Sequence, residues 1–164
     1  MSVPSGTTSS GSRANRTGTQ LEHFVHDALI RAGFALFENH KPLLFENRHL
    51  IGGKQFQPHV NVGTTIYQST RIVDFLITNK ARFAEGLIIE CKWQQSSGSV
   101  DEKYPFLLCN IIKTGVPTIV LLDGGGYKPA AKTWLQNQIT ATRALLGVWD
   151  MAAFQRHLND GFLG

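Results

Sequence analysis

Apolar positions along this chain fall into two kinds of pattern. Leu21, Phe24, Val25, Ala28 and Leu29 recur at i, i+3, i+4, i+7 and i+8, one stripe of an amphipathic helix. Thr19 and Glu22 have the spacing of a capping box, so the helix is expected to start at Thr19, and Gly33 supplies its stop. Phe34 to Glu38 then reads as a strand. Residues 39–69 are rich in Asn, His, Gly, Gln, Lys and Pro, with short apolar islands at Leu43–Phe45 and Val60–Tyr67, and a hairpin with long loops is expected there. Two strands follow at about 70–78 and 85–93, with Asn79-Lys80 as their turn. Ser99 and Glu102 repeat the capping-box spacing and open a helix through Lys113, stopped by Gly115. Pro105 inside it implies a kink or a late start. Pro117–Leu122 is a continuous apolar run, the pattern of a strand buried on both faces. Asp123-Gly-Gly-Gly126 turns the chain into a helix from Pro129 to Ile139. A strand at Leu145–Trp149 and a helix capped by Asp150 complete the chain.

The order is helix, three antiparallel strands, helix, strand, then trailing helices and one further strand: an α/β chain with a mixed sheet. No internal repeat is visible. Residues 1–18 are Ser, Thr and Gly with Arg13 and Arg16, and read as a flexible N-terminal arm ahead of one domain over 19–164. The 164 residues are 42% apolar and 17% charged, which excludes a disordered chain. A net charge of +4 is compatible with a polyanionic partner without requiring one. Two cysteines make no disulfide framework and point to a reducing, cytoplasmic setting. No apolar run approaches membrane-spanning length, so no membrane role is expected.

The chemistry concentrates in the two middle strands. Arg71-Ile-Val-Asp-Phe-Leu-Ile77 carries one isolated acid, Asp74, at its centre. Leu87-Ile-Ile-Glu-Cys-Lys92 ends on Glu90 and Lys92, which share one face while Cys91 takes the other. Charges beside a buried apolar run are costly to place, which marks a site rather than a solvated edge. Adjacent antiparallel strands would bring Asp74, Glu90 and Lys92 together. Two carboxylates and a lysine at one spot suit a hard divalent cation and an activated water, the chemistry of phosphodiester cleavage.

Val73-Asp74 followed by Glu90-Cys91-Lys92, on the second and third strands of an αβββαβ order, resembles the PD-(D/E)XK nuclease superfamily. Val73 stands where the motif's name has proline. The resemblance covers roughly residues 18 to 125 and implies a restriction-endonuclease-like core with helices on both faces and a C-terminal helical extension. It further implies a Mg²⁺-dependent DNA endonuclease, with Mn²⁺ able to substitute, that leaves 5′-phosphate and 3′-hydroxyl ends. Asp74 and Glu90 would ligate the metal with the backbone carbonyl of Cys91, and Lys92 would orient the water or stabilise charge on the phosphate. Glu22 resembles the acid that many members carry in the first helix. Restriction-, homing-, mobile-element- and resolvase-type roles all fit.

Gln94 continues the face of Glu90 and Lys92 and is a candidate for contacting the phosphate. Lys103, Arg71, Lys54 and Arg48 are the candidate contacts to DNA, expected to be double-stranded. The six histidines lack the local pattern of a His-metal nuclease. The glycine turn at 124–126 lacks the spacing of a phosphate-cradling loop. Two other classes remain: a non-catalytic nucleic-acid-binding or assembly module that keeps the fold, and a nucleotide-binding protein built around the glycine turn. Trp134, Leu145, Leu146, Trp149, Phe154, Phe162 and Leu163 exceed what trailing helices need, suggesting a homodimer or homotetramer.

Overall fold

The computed structural model describes residues 10–37, 45–50, 53–96, 98 and 101–164, with the side chains of 10–18, 47, 49 and 50 outside that description. Its elements are α1 (Ser10–Arg31), β1 (Ala35–Leu36), a 3-10 turn (Phe45–Leu50), β2 (Gln55–Thr64), β3 (Thr70–Asn79) and β4 (Phe83–Trp93). A second 3-10 turn (Asp101–Lys103), α2 (Tyr104–Thr114), β5 (Thr118–Asp123), α3 (Pro129–Ala141), β6 (Leu145–Trp149) and α4 (Met151–Asn159) follow. The six strands form one sheet in chain order. β2, β3 and β4 are an antiparallel meander, while β1 joins β2, β5 joins β4, and β6 joins β5 in parallel.

Helices cover both faces, as the apolar pattern predicts. On one face the α1 stripe of Leu21, Val25, Ala28 and Leu29 packs with Phe154 of α4 against Phe56, Phe75, Ile77, Leu87, Ile89, Ile119 and Leu121. On the other, Leu107, Leu108 and Ile111 of α2 and Leu135 of α3 pack on Val120, Leu122, Leu145 and Val148. β5 contributes to both layers, which is why it reads as an unbroken apolar run.

Several expectations shift. The first helix starts at Ser10, not at Thr19, so the capping-box pair lies inside it and residues 10–18 are helical; residues 1–9 lie outside the described residues. No proline interrupts 10–22, and once the apolar stripe is docked a helix propagates outward at one hydrogen bond per residue. Of the strand expected at Phe34–Glu38, Ala35–Leu36 forms, and Glu38 lies outside the described residues. Within residues 39–69, where a hairpin with long loops is expected, the described residues instead hold the 10-residue β2, the first strand of the meander. Ser99 lies outside the described residues; α2 starts late, at Tyr104, with Pro105 in its first turn where a missing N–H costs nothing. Gly115 closes it in the left-handed conformation (φ 70°) and donates to Ile111 O. Asp150 caps α4 by accepting from Ala153 N–H.

The C-terminal apolar side chains fill their own core. Leu145, Phe154 and Leu163 are buried, and Leu146, Trp149 and Phe162 pack against the α1-side cluster. Of the set expected to form a subunit contact, only Trp134 is exposed.

Candidate active site

A break in strand alternation builds the site. Val73 packs with Leu76 and Ile88, whereas Phe75 and Ile77 pack in the α1-side cluster, so residues of equal parity change faces across Asp74. The same switch occurs in β2, where Phe56 and Val60 belong to different clusters. Between the pairs Pro58–Phe75 and Val60–Val73 sit His59 and Asp74, and His59 has φ 55°. A non-glycine residue in that left-handed region is uncommon and strained, and such positions collect at functional sites. The turnover rotates the outer half of β3, carrying Arg71 and Val73 to the α2 side.

The β3–β4 ladder ends at the Phe75–Ile89 pair, while Glu90 to Trp93 stay paired with Val120 to Asp123 of β5. β3 and β4 therefore fork at Asp74 and Glu90. Glu90 and Lys92 face α2, on the side of Val120 and Leu122, and Cys91 faces the α1-side core.

At the fork, Lys92 Nζ lies 2.9 Å from Glu90 Oε2 and 3.5 Å from Asp74 Oδ2. One ammonium touches both acids, so the two carboxylates open onto one space. Asp74 Oδ2 also accepts the Cys91 N–H at 2.6 Å, which ties the acid to β4 beyond the end of the ladder. Burial alone would pull the Lys92 ammonium down, but Glu90 and Asp74 outweigh it and hold its pKa above the ordinary lysine value. It is a fixed cation.

Glu22 reaches the fork from α1. Its Oε2 lies 3.7 Å from His59 Nε2, and burial, then the charge of Asp74, raise its pKa against the opposing pull of His59, Lys92 and His23. Glu22 thus lies within the electrostatic reach of Asp74, on the helix where the resemblance expects an acid. Burial, followed by Asp74, pushes the Cys91 thiol well up, so its side chain is an inert core group and only its main chain meets the acids.

Arg71 is not positioned to meet DNA. It is 5% exposed, and its guanidinium donates to Glu90 Oε1 (2.9 Å), to Asn110 O (2.7 Å) and to Thr114 Oγ1. The β3 turnover, unreadable from residue spacing, aims it inward. Glu90, also 5% exposed, is thus gripped on both oxygens by two cations. Arg48 is engaged with Glu85 Oε2, Glu85 O and Phe45 O, away from the fork at the opposite end of β4. Lys54, at the start of β2, lies over the Phe34 ring. Of the four candidate DNA contacts, Arg71 and Lys103 line the cleft at the fork, and of these two only Lys103 is not committed to Glu90 and α2.

Gln94 does not join the acids. Its buried amide donates to Asp101 Oδ1 (3.2 Å), Gly126 O (3.3 Å) and Ser96 O (3.4 Å), and accepts from Tyr104 Oη (2.9 Å). It fastens the end of β4 to α2 and to the glycine turn. Gly126 N–H donates to Gln94 O and Gly124 N–H to Asp123 Oδ1, so those amides are spent within the protein. A Cβ on Gly126 would lie 2.3 Å from Gln95 C, which makes the turn a close backbone approach rather than a phosphate cradle.

His59 and the Arg71 anchors on α2 were missed from sequence. A histidine directly after a proline in a polar stretch carries no local signal, and the Asn110 carbonyl carries none at all.

The donor set suits a hard divalent cation. Mg²⁺ commonly takes one or two protein carboxylates and completes its shell with waters and substrate phosphate. Asp74 meets Cys91 N–H and Lys92 through Oδ2, and its Oδ1 has no hydrogen-bond partner among the described residues. Among the described residues no group of three or more His, Cys, Asp and Glu side chains is close enough to form a metal cage.

Neither the curated proteins nor the solved structures contain a match to this chain. The family model for the PD-(D/E)XK nuclease superfamily domain matches residues 13–162, taking in the C-terminal helices as well as the core expected from sequence. With the fold, the fork and that match in agreement, the chain belongs to the PD-(D/E)XK nuclease superfamily.

Proposed function

We propose that this protein is a divalent-metal-dependent DNA endonuclease that hydrolyses a phosphodiester to 5′-phosphate and 3′-hydroxyl ends. The observation that carries this reading is the Lys92 ammonium in contact with both Asp74 and Glu90 at the strand fork. Asp74 and Glu90 would hold a Mg²⁺ ion, whose chemistry when bound is to polarise a phosphate and acidify a water.

The protein's own groups do the rest. Lys92, kept charged by the two acids, presents an ammonium to the negative charge that grows on the phosphate oxygens. The Arg71 guanidinium and the Cys91 N–H fix the two acids before substrate arrives, so little reorganisation is left for the reacting state. Glu22 adds a third acid whose raised pKa suits it to accept a proton near the fork. Lys103 offers a flexible cation to a neighbouring phosphate. Both cysteines are free, consistent with a reducing, cytoplasmic setting, and no helix among the described residues is long and apolar enough to cross a membrane.

Nicking of supercoiled plasmid with Mg²⁺ and with EDTA tests the proposal. Wild type should nick only with the metal, and Asp74→Asn and Lys92→Ala should each lose about 10²–10³-fold in rate with circular dichroism unchanged. Metal-dependent nicking at the wild-type rate by Asp74→Asn would overturn it.

A further inference from the structure

The fork opens on a cleft of about 280 Å³ between β3–β4 and α2. One end is charged, with Glu90, Lys92 and Lys103; the rest is mostly apolar, with Ile72, Phe106 and Leu107. Phosphate chemistry explains the charged end only. Three large apolar side chains around the tip of the β2–β3 hairpin are left in solvent: Ile66 (36% exposed), Tyr67 (76%) and Ile72 (58%). The tip is held onto α2 by three independent contacts. Asn110 Oδ1 accepts the Ile66 N–H at 2.8 Å, Lys113 Nζ donates to Thr65 O at 2.7 Å, and Tyr67 stacks on Phe106 with centroids 5.0 Å apart at 25°. Phe106, backed by Tyr67, is thereby fixed as an aromatic wall of the cleft that Glu90 and Lys92 also line.

We infer that this cleft binds one unpaired nucleobase, with its adjoining phosphate at Lys92 and Lys103, so that the substrate is cut at a single-stranded, frayed or extruded nucleotide. The inference rests on the nuclease reading above and narrows its substrate class. Bases inside a duplex stack on one another and present only edges and backbone to a protein, so they cannot use an apolar cleft with an aromatic wall. An unpaired base exposes its π-face, and a site for it combines cations that track the backbone with aromatic or apolar surfaces that take the base. The cleft has both halves contiguous. Its volume lies just below the usual range for small-ligand sites and suits one planar group. The docked hairpin means that the apolar half is formed before substrate arrives, which lowers the ordering cost of binding.

The test compares two 12-mers of equal charge, oligo-dT and a fully abasic deoxyribose-phosphate strand, by fluorescence anisotropy in EDTA so that nothing is cleaved. Oligo-dT should bind wild type at least tenfold more tightly, the factor given by stacking of about 1.4 kcal/mol. Ile72→Ala and Phe106→Ala should each shrink that ratio severalfold, while Ile112→Ala, equally exposed on α2 but not lining the cleft, should leave it unchanged. Ile72 is largely solvent-exposed, so its truncation keeps the test valid if Phe106→Ala unfolds. Equal affinity for the two strands overturns the inference, as does tight binding of duplex with neither strand bound. Plasmid nicking separates the two proposals. Nicking with no preference for oligo-dT sinks the base pocket alone, and a preference for oligo-dT without cleavage in any metal sinks the nuclease reading, and with it the cut at the unpaired nucleotide, but leaves the base pocket.

Discussion

Replacing Arg71 with methionine removes one partner of a buried ion pair and leaves the other in place. Arg71 and Glu90 are each 5% exposed, so neither charge is substantially relieved by water. Breaking such a pair on one side costs about 3–5 kcal/mol, because the remaining charge stays buried without its partner. Two features of this site move the figure in opposite directions. Glu90 keeps the Lys92 ammonium at 2.9 Å, which softens the loss. The substitution also removes a donor from Asn110 O, which keeps the Thr114 hydroxyl at 2.8 Å, and from the half-buried Thr114 Oγ1, each an ordinary hydrogen bond worth about 0.5–1.5 kcal/mol. We expect Arg71→Met to lower stability by about 3–4 kcal/mol. Arg71→Met combined with Glu90→Leu should cost less than the sum of the singles by about 2 kcal/mol, because the second change removes the stranded charge. Urea unfolding followed by tryptophan fluorescence measures all three, and the cycle isolates the pair. If Arg71→Met lies within about 0.5 kcal/mol of wild type, Arg71 is a solvated surface residue and the positioning of Glu90 argued above is wrong.

Three further outcomes follow from the same geometry. Because burial and Asp74 raise the Glu22 pKa, its ionised form costs stability; Glu22→Gln should therefore raise the melting temperature at pH 7, with the gain fading as pH falls from the raised pKa towards the ordinary value of 4.5 and absent below it, and a lower melting temperature at pH 7 would contradict this. Lys103→Ala should reduce the salt slope of oligonucleotide binding by about one phosphate, whereas Arg48→Ala, already committed to Glu85, should leave the slope at the wild-type value in anisotropy titrations. Gly126→Ala should destabilise by roughly 1–3 kcal/mol in urea, since its Cβ meets the backbone at Gln95 and Ser96; full stability would show that the turn yields at no cost.

Much of this protein is fixed locally. The α1 stripe, the unbroken β5 run, the Asp150 cap and the Gly115 stop are short-range signals, and each element forms where those residues stand. Asp74, Glu90 and Lys92 were legible because an acid or an ammonium inside an apolar strand has few other reasons to be there. β2 was illegible because Pro58, His59 and Gly63 disguise it, and its residues gain strand character by pairing with β3 rather than from their own propensity. The face of Arg71 could not be read either. Alternation is a rule of two-residue period, and the left-handed His59 opposite Asp74 breaks it through a neighbouring strand. The resulting turnover decides that Arg71 grips Glu90 instead of meeting a phosphate, and the forked ladder decides that acids from two strands meet one Lys92 ammonium. Both depend on contacts between segments far apart in the chain, so only the tertiary structure could set them.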